Sequence, residues 1–299
     1  MDRLHLMTVF VTVAEAKSFA GGARRLGMSP PAVMRAVAAL EKKLGIKLLN
    51  RSTRFVRATA AGQRYLDDAR RIIAEVDDAD EAAAGINAEP RGQVAVTAPV
   101  LFGKLFILPA VVEYLERYPA MEVLALFLDR VVNLLEEGLD VGVRIGELPD
   151  SSMNALHVGS VRRVLCSAPD YLAKHGTPKG PMSLSAHCMI AATGVSPTNE
   201  WKFRQGGKTL TVRVKPRLTV SSNDAAIEAT LRGFGIARLL SYQVASQVAS
   251  RQLKFILPEY EPVPMPIHVL HREGRYASAK IRTFVDLVAG RLRKDKALQ

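Results

Sequence analysis

Apolar residues recur at three and four positions from Leu4 through Met7, Phe10 and Val11 to Ala14, which predicts a first helix. Ser18 is placed to cap a second helix running to about Leu26, with Phe19, Ala23 and Leu26 inward, Arg24 and Arg25 outward, and Gly21-Gly22 weakening it. Gly27 stops that helix, and Ser29 is placed to cap a third, about Pro30 to Lys43. Its first turn is Pro30-Pro31, where the missing amide hydrogens cost little. Val33, Val37, Leu40 and Leu44 form its apolar stripe and leave Ser29, Pro31, Met34, Arg35 and Ala38 on other faces. Two short helices joined by about three residues have helix-turn-helix spacing, and the free N-terminal turn of the second can enter a major groove. Beyond Gly45, the run from Ile46 through Asn50-Arg51-Ser52-Thr53-Arg54 to Arg57 reads as a short hairpin with a basic tip, a wing. Arg51, Arg54 and Arg57 can neutralise phosphates or enter a minor groove.

From Thr59, a plausible cap, helical periodicity continues to about Asn87, a span of roughly 40 Å. Tyr65, Ala69, Ile72, Val76, Ala79, Ala83 and Ile86 follow alternating steps of four and three, an a/d seam that asks for a partner helix. Pro90-Arg91-Gly92 breaks it. Afterwards strand-like runs (93–98, 121–129, 140–145, 163–168, 188–192, 217–220 and 267–270) alternate with helical ones (101–118, 131–137, 171–175, 223–232 and 279–292). This predicts α/β units with a largely parallel sheet, where ligands sit at the carboxyl ends of strands.

Charge sharpens the division. Residues 1–65 hold 12 basic and 3 acidic side chains, 66–90 hold 2 and 8, and 91–299 hold 27 and 18, within a total of +12. A basic head, an acidic connector and a mildly basic body result, and a polyanionic partner is worth testing. Cys166 and Cys188 form no CxxC and are expected to be reduced, inert thiols. The longest apolar run near the middle, 105–112, is far short of the roughly 20 residues of a membrane span. Residues 4–14 with Ala14-Glu15-Ala16 imitate a signal peptide, but Met1-Asp2-Arg3 lacks the positive leader, so a first helix is the better reading.

The run Leu4 to Gly62 carries Phe10, Ala14, Ser18-Phe19, Ala23, Leu26, Ser29, Pro31-Ala32-Val33, Arg35, Leu40-Glu41, Leu44-Gly45, Leu48-Leu49, Arg51, Arg54 and Thr59-Ala60-Ala61-Gly62 at fixed spacing. It closely resembles the LysR-type transcriptional regulators. The body extends that resemblance through Thr97-Ala98-Pro99, Asp140-Val141-Gly142-Val143-Arg144, Ser167-Ala168-Pro169-Asp170-Tyr171-Leu172, Ser222-Asn223-Asp224 and Gly233-Phe234-Gly235-Ile236.

The resemblance implies a winged helix-turn-helix DNA-binding domain (1–58), a dimerising linker helix (59–89) and an α/β effector-binding domain (90–299). The last has two subdomains like those of periplasmic binding proteins, about 90–161 with 265–299, and 162–264. It also implies that Ser29, Pro30, Pro31, Met34 and Arg35 meet double-stranded promoter DNA while Arg51 and Arg54 hold its backbone. A homodimer or homotetramer, a small-molecule effector in the cleft, RNA polymerase as a further partner and a cytoplasmic location follow from the same resemblance. The sequence departs from the family at Met34, where a small polar residue is usual, at Gly21-Gly22, and at Leu239-Leu240, where leucine and proline are usual.

Catalysis finds no support in the residues. No G-x-S-x-G elbow appears, the six histidines are scattered, Glu136-Glu137 point to different helix faces, and Gly233-x-Gly235 lacks the rest of a dinucleotide fingerprint. Neither a cofactor nor a metal is expected. A secreted solute-binding protein would explain the body but not the head, and the N-terminal residue of the mature chain separates the two readings. In the cleft, Pro99, Val100, Arg144 and Gly146 are expected on one wall, with Thr193, Asn223 and Gly235 on the other. A helix start near Asn223 and the charge of Arg144 favour a small carboxylate, against the plainer reading of Arg144 as a structural strand-end residue.

Overall fold

Leu6, Met7, Val9, Phe10 and Val13 are all buried in α1 (Arg3–Ala16), a wider face than the one expected from periodicity. Three other helices pack around α1, so little of its circumference meets water. The computed structural model describes residues 2–51, 56–84, 89–148, 153–193, 199–271 and 278–299. It divides into the units Met1–Ala88 and Glu89–Gln299. No helix among the described residues is long and apolar enough to cross a membrane.

In the first unit, α2 (Phe19–Leu26) is capped by Ser18, whose hydroxyl accepts from the Gly21 amide at 3.2 Å. Gly22 has a packing reason: a β-carbon there would lie 2.7 Å from a Val13 methyl. The α1–α2 contact therefore excludes even alanine without a shift. Next, α3 (Pro30–Leu44) buries Val33, Ala36, Val37 and Leu40. A two-stranded ribbon follows, β1 (Leu49–Arg51) antiparallel to β2 (Val56–Ala58), with Asn50 opposite Arg57. The tip that carries Arg54 lies outside the described residues, as does the side chain of Arg51. Thr59 caps α4 (Ala60–Ala84), accepting from the Gly62 amide at 2.8 Å while donating to the Lys47 carbonyl.

The second unit holds two five-stranded sheets. The first contains β3 (Gly92–Ala98), β4 (Met121–Phe127), β5 (Val141–Ile145), β6 (Asn154–Val161) and, from far along the chain, β14 (Met265–His271), in the order β4-β3-β5-β14-β6. The second contains β7 (Arg163–Ser167), β8 (Met189–Ala192), β11 (Pro216–Val220), β12 (Ile236–Leu240) and β13 (Lys254–Ile256), in the order β11-β8-β12-β7-β13. Between β8 and β11 stands a separate hairpin, β9 (Glu200–Gln205) with β10 (Lys208–Arg213).

Neither sheet is largely parallel. β3 runs parallel to β4 and β5, and β8 to β11 and β12, but β14 and β7 run antiparallel to their neighbours. These are the strands through which the chain changes sheets, and each enters from the opposite end.

The helices of this unit are α5 (Val100–Phe102), α6 (Leu108–Arg117), α7 (Pro169–His175), α8 (Asn223–Leu231), α9 (Ala245–Ala249) and α10 (Ala279–Leu292). A π-helical turn over Gly103–Ile107 joins α5 to α6. Residues 131–137 are not helical, contrary to expectation. There Val132 and Leu134 are buried while Val131, Asn133 and Leu135 are exposed, residues 134–138 form turns in which the Glu137 amide donates to the Asn133 carbonyl at 3.0 Å, and Glu137 pairs with Arg130 at 2.5 Å.

Candidate functional site

Two surfaces carry chemistry, one in each unit. In the first, the start of α3 stands free: Ser29, Pro30, Pro31, Met34, Arg35 and Ala38 are exposed while the opposite stripe is buried. Ser29 has the extended backbone of a cap, but its side chain makes no capping bond, which corrects the expected cap. Only its carbonyl is used, accepting from the Ala32 and Val33 amides. The Arg35 guanidinium has no bonding partner among the described residues.

Behind this face lies Glu41, which sequence reasoning had only as part of a resemblance. Its carboxylate is 3% exposed and accepts from the amides of Leu48 and Leu49 at 2.9 and 3.1 Å, with Lys47 at 2.8 Å. Burial pushes its pKa up, but the bonds from Lys47, Leu49 and Leu48 outweigh that, and the net shift is downward. The acid thus fastens the first wing strand to α3. A charged residue beside the apolar stripe of a helix was the available signal.

The expected helix seam divides. Tyr65 packs on Phe10 with ring centroids 5.7 Å apart, and Ala69 is fully buried in the head core. These two positions are therefore occupied within their own unit, and an ion pair from Arg70 to Glu15 at 2.8 Å reinforces the same contact. Ile72 is 40% exposed and Val76 half-buried. The side chains of Ala79 and Ala83, and all of Ile86, lie outside the described residues.

In the second unit a cleft of about 490 Å³ opens where strand ends of the two sheets meet, a size typical of small-molecule sites. Thr97, Pro99, Arg144, Thr193 and Asn223 line it. Val100, Gly146 and Gly235 do not. The Val100 amide is spent on the Asp129 carboxylate at 3.0 Å, Gly146 sits at a strand-end turn against Met265, and Gly235 is pressed against the backbone of Cys188. Arg144 serves both of its expected roles, donating to the Val132 carbonyl while lining the cleft. Burial pulls its pKa down.

Three lining groups went unread. Thr97 is 3% exposed, and its hydroxyl has no hydrogen-bond partner among the described residues. Arg163 and Arg238 enter from β7 and β12, both half-buried and both with pKa values lowered by burial. Arg238 lies on the face of Trp201, its guanidinium carbon 4.5 Å from the ring centroid. Arg163 donates to the Met265 sulfur at 3.2 Å. Tyr242 closes one side, edge-on to Phe102 at 5.4 Å and Phe106 at 5.7 Å. Next to it, Gln243 accepts from the Leu240 amide at 2.9 Å, a bond that a proline at 240 could not make.

The description "Bacterial regulatory helix-turn-helix protein, lysR family" matches residues 4–63, and "LysR substrate binding domain" matches residues 87–293. The chain is similar to an HTH-type transcriptional repressor of Pseudomonas aeruginosa, at 32% identity over 96% of this chain and 92% of that protein. It is also similar to the HTH-type transcriptional regulator CrgA of Neisseria meningitidis, at 32% identity over 96% of both chains. The solved structure of CrgA matches with a TM-score of 0.63 at 30% identity, covering 96% of this chain and 98% of that one. The virulence activator AphB of Vibrio cholerae shares the fold, with a TM-score of 0.60 at 24% identity over 97% and 99% of the two chains. A free recognition-helix start in one unit, a small-molecule cleft in the other, and similarity that runs through both make this chain a member of the LysR family of DNA-binding transcriptional regulators.

Proposed function

We propose that this regulator acts in the cytoplasm as a homodimer or homotetramer that reads promoter DNA and answers to a small organic acid. DNA contact falls to Ser29, Pro30, Pro31, Met34 and Arg35, with Arg51 and Arg54 on the phosphates. The exposed positions of α4, beginning with Ile72, supply the contact between copies. The observation that carries the effector class is the lining of the cleft by Arg144, Arg163 and Arg238, while no carboxylate among the described residues bonds the last two. A buried cation without a counter-charge is costly, and an anionic ligand removes that cost. An effector changes transcription only by binding one arrangement of the protein better than another.

The test is a thermal-shift series of organic acids against amines and neutral sugars. Stabilisation by carboxylates, weakened in Arg144→Ala and Asn223→Ala, is the expected result. Stabilisation by cations alone overturns the reading, and carboxylate binding at full strength in both variants would show that Arg144 and Asn223 are not its contacts.

The DNA face has its own test. Arg35→Ala is expected to lower specific affinity, whereas Arg54→Ala weakens all sequences alike and reduces the salt slope by about 0.9 for the lost phosphate contact. Met34→Ser changes sequence preference, because a hydroxyl hydrogen-bonds where a thioether offers apolar contact. Salt titrations and selected-site profiles identical to the parent's would refute these assignments.

A further inference from the structure

The end of β12 places an arginine inside an apolar run: Ile236, Ala237 and Leu239 are buried around Arg238. On the neighbouring strand, Arg163 pairs with Leu240 while Arg238 pairs with Leu165. The two arginines are therefore diagonal neighbours on one face of the sheet, with backbones about 7–8 Å apart. Both line the cleft. Their immediate partners are an indole face and a thioether, neither of which carries a charge. Partial burial and the proximity of Arg163 pull the Arg238 pKa down to about 9, as two like charges on half-buried neighbours would.

The rest of the lining does not compensate them. Against Arg130, Arg144, Arg163 and Arg238 the lining sets only Asp129, and Glu137 pairs with Arg130 from outside it, so an excess of two positive charges remains, with no carboxylate among the described residues bonded to Arg163 or Arg238. The indole ring under Arg238 offers no oxyanion to its N–H groups, the ones that grip a carboxylate or phosphate. Also in the lining, the Thr97 hydroxyl is buried without a partner among the described residues, although its location would ordinarily demand one.

We infer that the effector is a small dianion held across Arg163 and Arg238, with the Thr97 hydroxyl as a further contact. The inference rests on the organic-acid reading and narrows it. A single negative charge leaves one guanidinium buried and unmatched, whereas two restore the balance. Two carboxylates on one short chain or one phosphate group supply the same charge, and the choice between them is made by experiment.

The full-length protein is titrated, by calorimetry or thermal shift, with the unbranched dicarboxylates from oxalate to adipate, each against its own monoamide, and with inorganic phosphate. The best dicarboxylate, or phosphate, is expected to reach half-saturation at least about tenfold below the monoamides. Arg163→Gln and Arg238→Gln, each tested singly, bring that ratio close to unity. They exchange a buried charge for a neutral amide, so folding is not the variable under test, and the unliganded melting temperature verifies it. Should monoamides and dicarboxylates bind the parent protein equally well, the dianion inference is overturned while the organic-acid reading stands. If no anion of either kind binds, both fall. Preference for phosphate over every dicarboxylate keeps the inference and assigns the effector to phosphorylated compounds.

Discussion

Glu41→Ala is expected to destabilise the head by about 2–6 kcal/mol, at about 1–3 kcal/mol for each of two buried amides left without an acceptor. The magnitude comes from the two backbone amides, not from the visible ion pair. Lys47 is 73% exposed, so its attraction is screened and contributes less than about 1 kcal/mol. Leu48 and Leu49 are buried, and without the carboxylate their N–H groups have neither the acid nor water. Lys47→Ala is the control and should be close to neutral. Hydrogen exchange on the full-length protein reads the difference directly: in Glu41→Ala the amides of Leu48 and Leu49 lose protection, and in Lys47→Ala they keep it. Equal protection in both variants would show that the acid is not what holds the wing. The pH dependence has a definite sign. Because the folded protein lowers the Glu41 pKa from its ordinary 4.5, this stabilisation is fully present above that value and disappears as pH falls through the lowered one.

Gly235→Ala should destabilise the body by about 3 kcal/mol, the upper part of the range for overpacking. A β-carbon at that position would lie 2.2 Å from the Cys188 carbonyl oxygen, and that oxygen already accepts from the Ile236 amide at 2.9 Å. The Gly235 carbonyl is held in turn by the Ser167 hydroxyl, also at 2.9 Å. Backbone on both sides must move, and neither strand has slack. Gly290→Ala provides the opposite sign: nothing lies within 4 Å of a β-carbon there, the position is exposed in α10, and alanine should stabilise by about 0.8–1 kcal/mol. Denaturant unfolding of the two variants without effector separates a packing role for Gly235 from an effector contact, which would leave the unliganded stability unchanged.

How far the sequence was legible depended on whether a signal was local. Caps, breaks and helical periodicity are local, and the exposed start of α3, the Thr59 cap and the bounds of α10 were all readable from them. Residues 131–137 misled because adjacent apolar residues fit a regular helix as well as an irregular segment closed by turns, and only tertiary burial chooses. The β9–β10 hairpin was legible but unread: Trp201 and Phe203 alternate with Lys202 and Arg204, and Gly206-Gly207 marks the turn. The seam at Tyr65 and Ala69 shows a real limit, since a heptad stripe has the same spacing whether it meets another chain or its own head. Arg163 and Arg238 lie far apart in sequence, and each alone reads as an ordinary solvated arginine. Only the antiparallel pairing of β7 with β12 makes them a pair.

The position of β14 in the first sheet has a consequence for the order in which the protein can be made. β6 pairs only with β14 among the described strands, and β5 has β14 on one of its two sides. A ribosome delivers β3 to β6 before every strand of the second sheet and β14 after them all. The second sheet can therefore close while the chain is still growing. Throughout that interval the first stands open at its middle, with Val143 and Val158 lacking the strand that will join β5 to β6. Native closure of the body thus waits until β14 has been made, and the vulnerable species on the way is a chain with one finished subdomain and one gaping sheet.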